Sequence, residues 1–266
     1  MVRLVFKSSA ENSAVVPFFC SHRCGTPLVP AVQIWLSAFD YNGAMSARTA
    51  GYLEAIEHLP EGAILVVPGV SWEEYEELLG DLGARPGVRV SYDEGRLEIM
   101  SPLREHEKCK EFISDLARAF AEENNLTLEK FGSTTWKRRR LKKGTEPDAC
   151  FYTANAARIM GKRKIDLDSD PPPDVAVEID TTNQSRAKFS IYAALGIPEI
   201  WRYDGKQVEM YNLKGGSYVR TNASDFLVDL SAELLTEFLE ISKTQSQTAA
   251  LRLFRERLRG RRPRHS

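Results

Sequence analysis

Residues 171–180 read Pro-Pro-Pro-Asp-Val-Ala-Val-Glu-Ile-Asp, and this segment constrains the fold more than any other. Three consecutive prolines stiffen the approach and exclude a helix interior. Val175–Ile179 then forms a dense apolar run of strand length, interrupted by Glu178. Alternation along a strand puts Val175, Val177 and Ile179 on one face and Ala176, Glu178 and Asp180 on the other. Burying a carboxylate in such a strand costs several kcal/mol unless a cation, a metal ion or a hydrogen-bond donor compensates it.

The surrounding periodicities supply the rest of a sheet. Ser71-Trp72-Glu73-Glu74 is a capping box opening a helix through Leu79, with Gly80 at the expected stop. Val88, Val90 and Tyr92 alternate with polar residues and are followed, after Asp93-Glu94-Gly95, by Leu97 and Ile99, the pattern of a β-hairpin. Phe112, Ile113, Leu116, Ala117 and Phe120 form one apolar stripe on a helix over 103–124. Strands are predicted over 127–131, 134–141 and 147–153, and a polar connection over 154–170. A short helix over 186–195 ends at Gly196, and strands over 199–203, 207–213 and 218–221 turn at Asp204-Gly205 and Gly215-Gly216. Ser231 caps a helix carrying Leu234, Leu235, Phe238 and Leu239. This order predicts a mixed α/β domain with one central β-sheet flanked by helices. Its bounds are 56–242. Residues 1–55, where proline and serine break every apolar group, read as a poorly ordered leader, with Met45 a candidate alternative start. Residues 243–266 read as a basic helix or tail.

Charge becomes informative only when resolved along the chain. The net charge is -1, which by itself points to neither nucleic acid nor a membrane surface. Residues 251–266, however, hold seven Arg and one Glu, so the preceding 250 residues carry the opposite sign. The run Lys137-Arg138-Arg139-Arg140-Leu141-Lys142-Lys143 leads into the strand at 147–153. Phosphate contacts there would be salt-sensitive and blind to sequence; a solvated strand edge is the alternative. The arginine-rich end is open between a nucleic-acid arm and a tail without a partner. No apolar run approaches the roughly 18 residues of a membrane span, and no signal-peptide core follows the first basic residues, so the expected location is cytoplasmic. Cys20 and Cys24 with His22 make half of a zinc site, with no second pair at usable spacing. Cys109 and Cys150 read as buried apolar residues. Neither a phosphate-cradling glycine loop nor a nucleophile elbow is present.

The candidate site collects around Glu178. Pro147-Asp148 opens a second apolar strand, and two acids on one face of adjacent strands make an oxygen-rich site suited to Mg²⁺. A paired structural carboxylate is the competing reading of either acid. Lys188, ten residues after Glu178 on the following helix, can fold back over the strand end. His106 lies in the first turn of the long helix, on the stripe 106, 109, 113, 116, 120 that points toward the sheet, beside Glu105 near the helix N-terminus.

These residues carry a resemblance. Ser101-Pro102 with His106, Pro147-Asp148, Pro173-Asp174 to Glu178, and the string Lys188-Phe-Ser-Ile-Tyr192-Ala-Ala-Leu-Gly196-Ile-Pro198-Glu199-Ile-Trp201 together resemble the Uma-type putative restriction endonuclease family of the PD-(D/E)XK nuclease superfamily. The resemblance runs from about residue 60 to 240. It implies a restriction-endonuclease-like core and metal-dependent hydrolysis of DNA, with Asp148 and Glu178 as ligands for Mg²⁺ (Mn²⁺ as the alternative ion). It also implies Lys188 as the catalytic lysine and His106 or Glu105 in support; a homodimer stays open. The superfamily's Glu-x-Lys is absent as written, because Asp180 stands two residues after Glu178. Asp180 is then either a third metal ligand or a partner of Lys188. A nuclease fold retained as a non-catalytic nucleic-acid-binding or interaction domain is the alternative function. A two-carboxylate glycosidase would leave the lysine and the basic run idle.

Overall fold

The computed structural model describes residues 33–35, 45–83, 87–180 and 185–261. The Cys20–Cys24 motif and most of the expected leader lie outside them. The chain divides into two compact units between Leu103 and Arg104.

The first unit contains β1 (Gln33–Trp35), α1 (Met45–Glu57), β2 (Ile64–Pro68), α2 (Trp72–Leu82), β3 (Arg89–Asp93) and β4 (Arg96–Met100). Residues 45–55 thus belong to a helix, where the sequence suggested leader. β1 pairs parallel with β2, and β4 pairs antiparallel with both β2 and β3. The capping box at Ser71 is present: the Glu74 amide donates to Ser71 Oγ at 3.1 Å, and the Ser71 amide donates to Glu74 Oε2 at 2.7 Å. α2 runs past Gly80 and ends at Gly83, φ 52°. A mid-helix glycine costs about 1 kcal/mol. Burying Leu82 against the Leu65, Val90 and Leu97 cluster returns about 1.5–3 kcal/mol, so packing overrides the local stop signal.

The second unit is built on a six-stranded sheet. Its elements are α3 (Arg104–Glu123), β5 (Glu129–Lys130), β6 (Trp136–Arg138), a 3₁₀ turn at Arg139–Leu141, β7 (Lys143–Thr145), β8 (Ala149–Tyr152), α4 (Ala156–Ile159) and β9 (Val175–Ile179). A second 3₁₀ turn at Ser185–Lys188 leads into α5 (Phe189–Leu195), followed by β10 (Glu199–Tyr203), β11 (Val208–Lys214), β12 (Ser217–Thr221), α6 (Ala232–Thr244) and α7 (Gln247–Arg261). The strand order is β12-β11-β10-β9-β8-β5. β9 and β10 are parallel; the remaining neighbours are antiparallel. The sequence order suggested one sheet, whereas the described strands form two.

Both faces of this sheet are covered. Val175, Val177 and Ile179 pack with Trp201, Tyr203, Val208 and Met210 against α3, α6 and α7. Ala176, Cys150, Tyr152, Ile200 and Tyr211 form the opposite face, under Ile191, Tyr192 and Leu195 of α5. The alternation read from 175–180 is therefore the observed one. Gly196, φ 81°, closes α5 in the left-handed region and accepts no strain for doing so.

One expected element differs, and a second takes the helical form of its two alternatives. The basic strand over 134–141 is a hairpin, β6 paired antiparallel with β7, and Lys142 takes the left-handed conformation, φ 49°, that turns the chain. An unbroken charged run shows no reversal in its periodicity. The arginine-rich end is a docked helix. Ala250, Phe254 and Leu258 of α7 are buried in the core shared with α3 and α6. Its arginines meet acids: Arg255 with Glu122 at 2.6 Å, Arg259 with Glu123 at 2.7 Å and Arg257 with Glu237 at 2.9 Å. Spacing four apart put those apolar residues on one face, and the arginines between them masked it. Among the described residues, no helix is long and apolar enough to cross a membrane.

Candidate active site

The polar groups gather at one end of the parallel pair, on the face covered by α5. The register that pairs Ala149 with Val177 brings Asp148 opposite Glu178 one step further along. The Asp148 amide donates to the Val177 carbonyl at 3.0 Å, and the Ile179 amide donates to Asp148 Oδ2 at 2.7 Å. Asp148 is thus clamped across β8 and β9 by backbone groups on both sides. Both acids are buried, each 2% exposed.

Glu178 is the hub. Lys188 Nζ lies 3.1 Å from its Oε2 and 3.3 Å from its Oε1, and the Tyr192 hydroxyl donates to Oε1. Thr145, on β7, lies close enough to Tyr192 to oppose the rise of its hydroxyl. Burial pushes the Glu178 carboxyl up to about 7; Lys188 opposes that rise and the neighbouring Asp148 adds to it. Burial, reinforced by Glu178, lifts the Tyr192 hydroxyl well above the ordinary phenol range. Tyr192 therefore stays protonated and keeps donating at neutral pH. Lys188 reaches the site because the 3₁₀ turn at 185–188 sets it immediately before α5, whose first turn overhangs β9.

Asp180 is paired with an arginine. Arg202 Nε donates to its Oδ2 at 2.9 Å, and Lys188 is engaged by Glu178. Arg202, 1% exposed, also donates through Nη1 to Glu209 Oε2 at 2.8 Å. Register makes this a row, because Glu178 neighbours Arg202 on β10 and Arg202 neighbours Glu209 on β11. Burial alone would raise Glu209, yet hydrogen bonds from Tyr211 and Arg202 and the charges of Arg220 and Arg202 hold it below the usual carboxylate range. His106, 6% exposed, falls within reach of the Asp148 and Asp180 charges. Burial lowers its pKa, and those two carboxylates pull the other way.

The structure brings Asp148, Glu178, Lys188 and His106 into one region and assigns Asp180 to Arg202. Four contributors escaped the sequence reading. Arg202 carried the same signal as Glu178, a charge within the apolar strand Glu-Ile-Trp-Arg-Tyr. Tyr192, four residues after Lys188, shares its helical face. Thr145 and Glu209 gave no signal, since their roles depend on strand pairing. The other Pro-Asp is structural: Asp174 accepts from the Thr153 amide at 2.7 Å and the Asn155 amide at 3.0 Å, tying down the loop after β8.

The donor set fits a magnesium-type ion in a restricted way. Among the described residues no three His, Cys, Asp or Glu side chains are grouped as a metal cage. Asp148 and Glu178 offer two adjacent carboxylates, and the rise of Glu178 caused partly by Asp148 is the repulsion a cation would relieve. Mg²⁺ commonly binds through one or two carboxylates while keeping waters and substrate phosphate oxygens. A zinc-type site of His and Cys is not what these residues provide.

The site thus lies in an α/β unit whose mixed sheet is covered by helices on both faces, with acids and a lysine at the end of its parallel pair. The chain belongs to the Uma2 family, described as "Putative restriction endonuclease", whose profile matches residues 72–243, more than half of its length. A solved structure described as a putative nuclease belonging to DUF820 from Anabaena variabilis ATCC 29413 is similar at 16% identity and a TM-score of 0.45, covering 63% of this chain and 98% of the other. No curated protein matches the chain.

Proposed function

We propose that the protein is a metal-dependent endonuclease that hydrolyses DNA phosphodiester bonds, with Asp148 and Glu178 holding Mg²⁺ and Lys188 acting at the scissile phosphate. The observation that carries this reading is the convergence of Lys188, Tyr192 and Asp148 on one buried carboxylate, Glu178, in a chain of this family. When bound, a divalent ion supplies Lewis-acid stabilisation of phosphoryl charge and a more acidic water. Asp148, fixed by the Ile179 amide, keeps one oxygen pointed across the strand pair. Tyr192 orients Glu178 through Oε1, while Lys188 bridges both oxygens and lies nearer Oε2. Lys188 Nζ, a compact donor on a flexible stem, can turn from Oε2 to a non-bridging phosphate oxygen and neutralise charge developing there. The exposed Arg139, Arg140 and Lys142 of the β6–β7 hairpin, a few residues before Asp148, support sequence-blind backbone contacts.

Supercoiled plasmid with Mg²⁺ tests the proposal. Nicking by the wild type should fall at least about a hundredfold in Asp148→Ala and Glu178→Ala, as expected when charge stabilisation of this kind is removed. Equal nicking by all three proteins would refute it. One observation favours a second reading, a binding domain without catalysis: position 180 holds an aspartate committed to Arg202 instead of a lysine. That reading predicts DNA binding with no calorimetric Mg²⁺ or Mn²⁺ signal that depends on Asp148.

A further inference from the structure

The buried row of charges ends at the surface in a second cationic feature. Glu209, on β11, has its side chain only 6% exposed, yet three arginines converge on it. Arg202 is the buried one. The others come from different elements: Arg186, in the turn that carries Lys188, at 3.6 Å, and Arg220, on β12, at 3.2 Å. Their side chains are 61% and 55% exposed. Arg186 Nη2 also donates to the Tyr211 hydroxyl at 3.3 Å, and that hydroxyl donates to Glu209 Oε2 at 2.8 Å. Register places Tyr211 opposite Arg220, so all these groups share one face of the sheet.

The charge count is lopsided. Arg202 is already shared with Asp180, which leaves one carboxylate to serve two solvent-facing guanidiniums. Exposed ion pairs of this type add about 0–1 kcal/mol of stability, so fold stability alone gives little reason for the pair. Each guanidinium has five N–H donors in a rigid fork, and these contacts use only one or two of them. Anchoring one edge on Glu209 orients the remaining donors without consuming them, an arrangement suited to a phosphate.

We infer that Arg186 and Arg220, oriented by Glu209, form a backbone-phosphate subsite that registers the nucleic acid relative to Glu178. This inference rests on the nuclease reading above. β11 lies two strands from β9, about 10 Å at a strand spacing of ~4.8 Å. Successive phosphates of one strand lie about 7 Å apart through space, so the subsite grips a phosphate one or two steps from the one at Glu178. Because Arg186 sits two residues before Lys188, a phosphate held there also fixes the turn from which Lys188 projects.

The test is fluorescence anisotropy with a labelled duplex of about 20 base pairs in EDTA, titrated across sodium chloride concentrations. Arg186→Gln and Arg220→Gln should each flatten the dependence of log K on log salt by about 0.9, and the double substitution by about twice that. The double variant should bind about tenfold or more weakly at low salt. Arg186→Lys/Arg220→Lys should keep the wild-type slope while losing part of the affinity, because charge survives and the fork does not. Unchanged melting of all variants separates this from misfolding. A wild-type slope and affinity in the double Gln variant overturns the subsite, and does so without touching the nuclease reading if Mg²⁺-dependent nicking persists. A wild type that binds no duplex at all overturns both.

Discussion

Arg202 offers the most demanding test of the charge row. It is 1% exposed and bonded to two acids that are each 5% exposed. Arg202→Met keeps most of the aliphatic volume and removes the guanidinium, leaving Asp180 and Glu209 to find other compensation. Removing one partner from a buried pair costs about 3–5 kcal/mol. Glu209 retains Arg220 and Arg186, which places the expectation near the lower end of that range. For a unit of this size each kcal/mol moves the melting temperature by roughly 2–4 °C, so the variant should melt about 6–12 °C below the wild type. The difference should depend on pH with a definite sign. Glu209 is held below its ordinary value in the folded protein, so its contribution is fully present above about 4.5 and is lost as pH falls through the folded value. The gap between wild type and Arg202→Met should therefore be widest near neutrality and shrink below about pH 4. Urea denaturation at pH 7 and pH 3.5 measures both. A variant within about 1 kcal/mol of the wild type at pH 7 would refute the claim that Arg202 compensates these buried charges.

The remaining predictions concern Glu178 and the C-terminal helix. A carboxyl raised to about 7 binds its proton more tightly folded than unfolded, so the metal-free protein should lose up to about 3 kcal/mol as pH rises from about 4.5 through 7. Denaturation in EDTA between pH 5 and 8 should show that decline in the wild type and not in Glu178→Gln; parallel curves would contradict it. Phe254→Ala removes a fully buried ring that meets Phe238 edge-on at 5.0 Å between centroids, and should cost about 3–5 kcal/mol. A stability loss below about 1 kcal/mol in calorimetry would return α7 to the status of a loosely attached arm.

What the chain announced locally, it built. The alternation in Val175–Ile179, the capping box at Ser71, the hairpin at 93–95 and the Gly196 stop each depend on residues close in sequence, and propensity and periodicity report such features directly. The acids Asp148 and Glu178 were legible for the same reason, since a charge inside an apolar strand requires compensation. What compensates it was decided in three dimensions. Lys188 meets Glu178 because a 3₁₀ turn returns it over β9, and Thr145 reaches Tyr192 from a hairpin that an unbroken basic run concealed. Arg202 takes Asp180 through the parallel register of β9 and β10, a pairing between residues 22 apart that no local pattern encodes. The arginine-rich end shows the same division of labour. Its sequence specified positive charge, but only packing against α3 and α6 showed that Glu122, Glu123 and Glu237 meet that charge and that the helix belongs to the core. Local sequence determines where charges must be answered; the fold, by bringing distant chain segments within a few ångströms, determines which group answers.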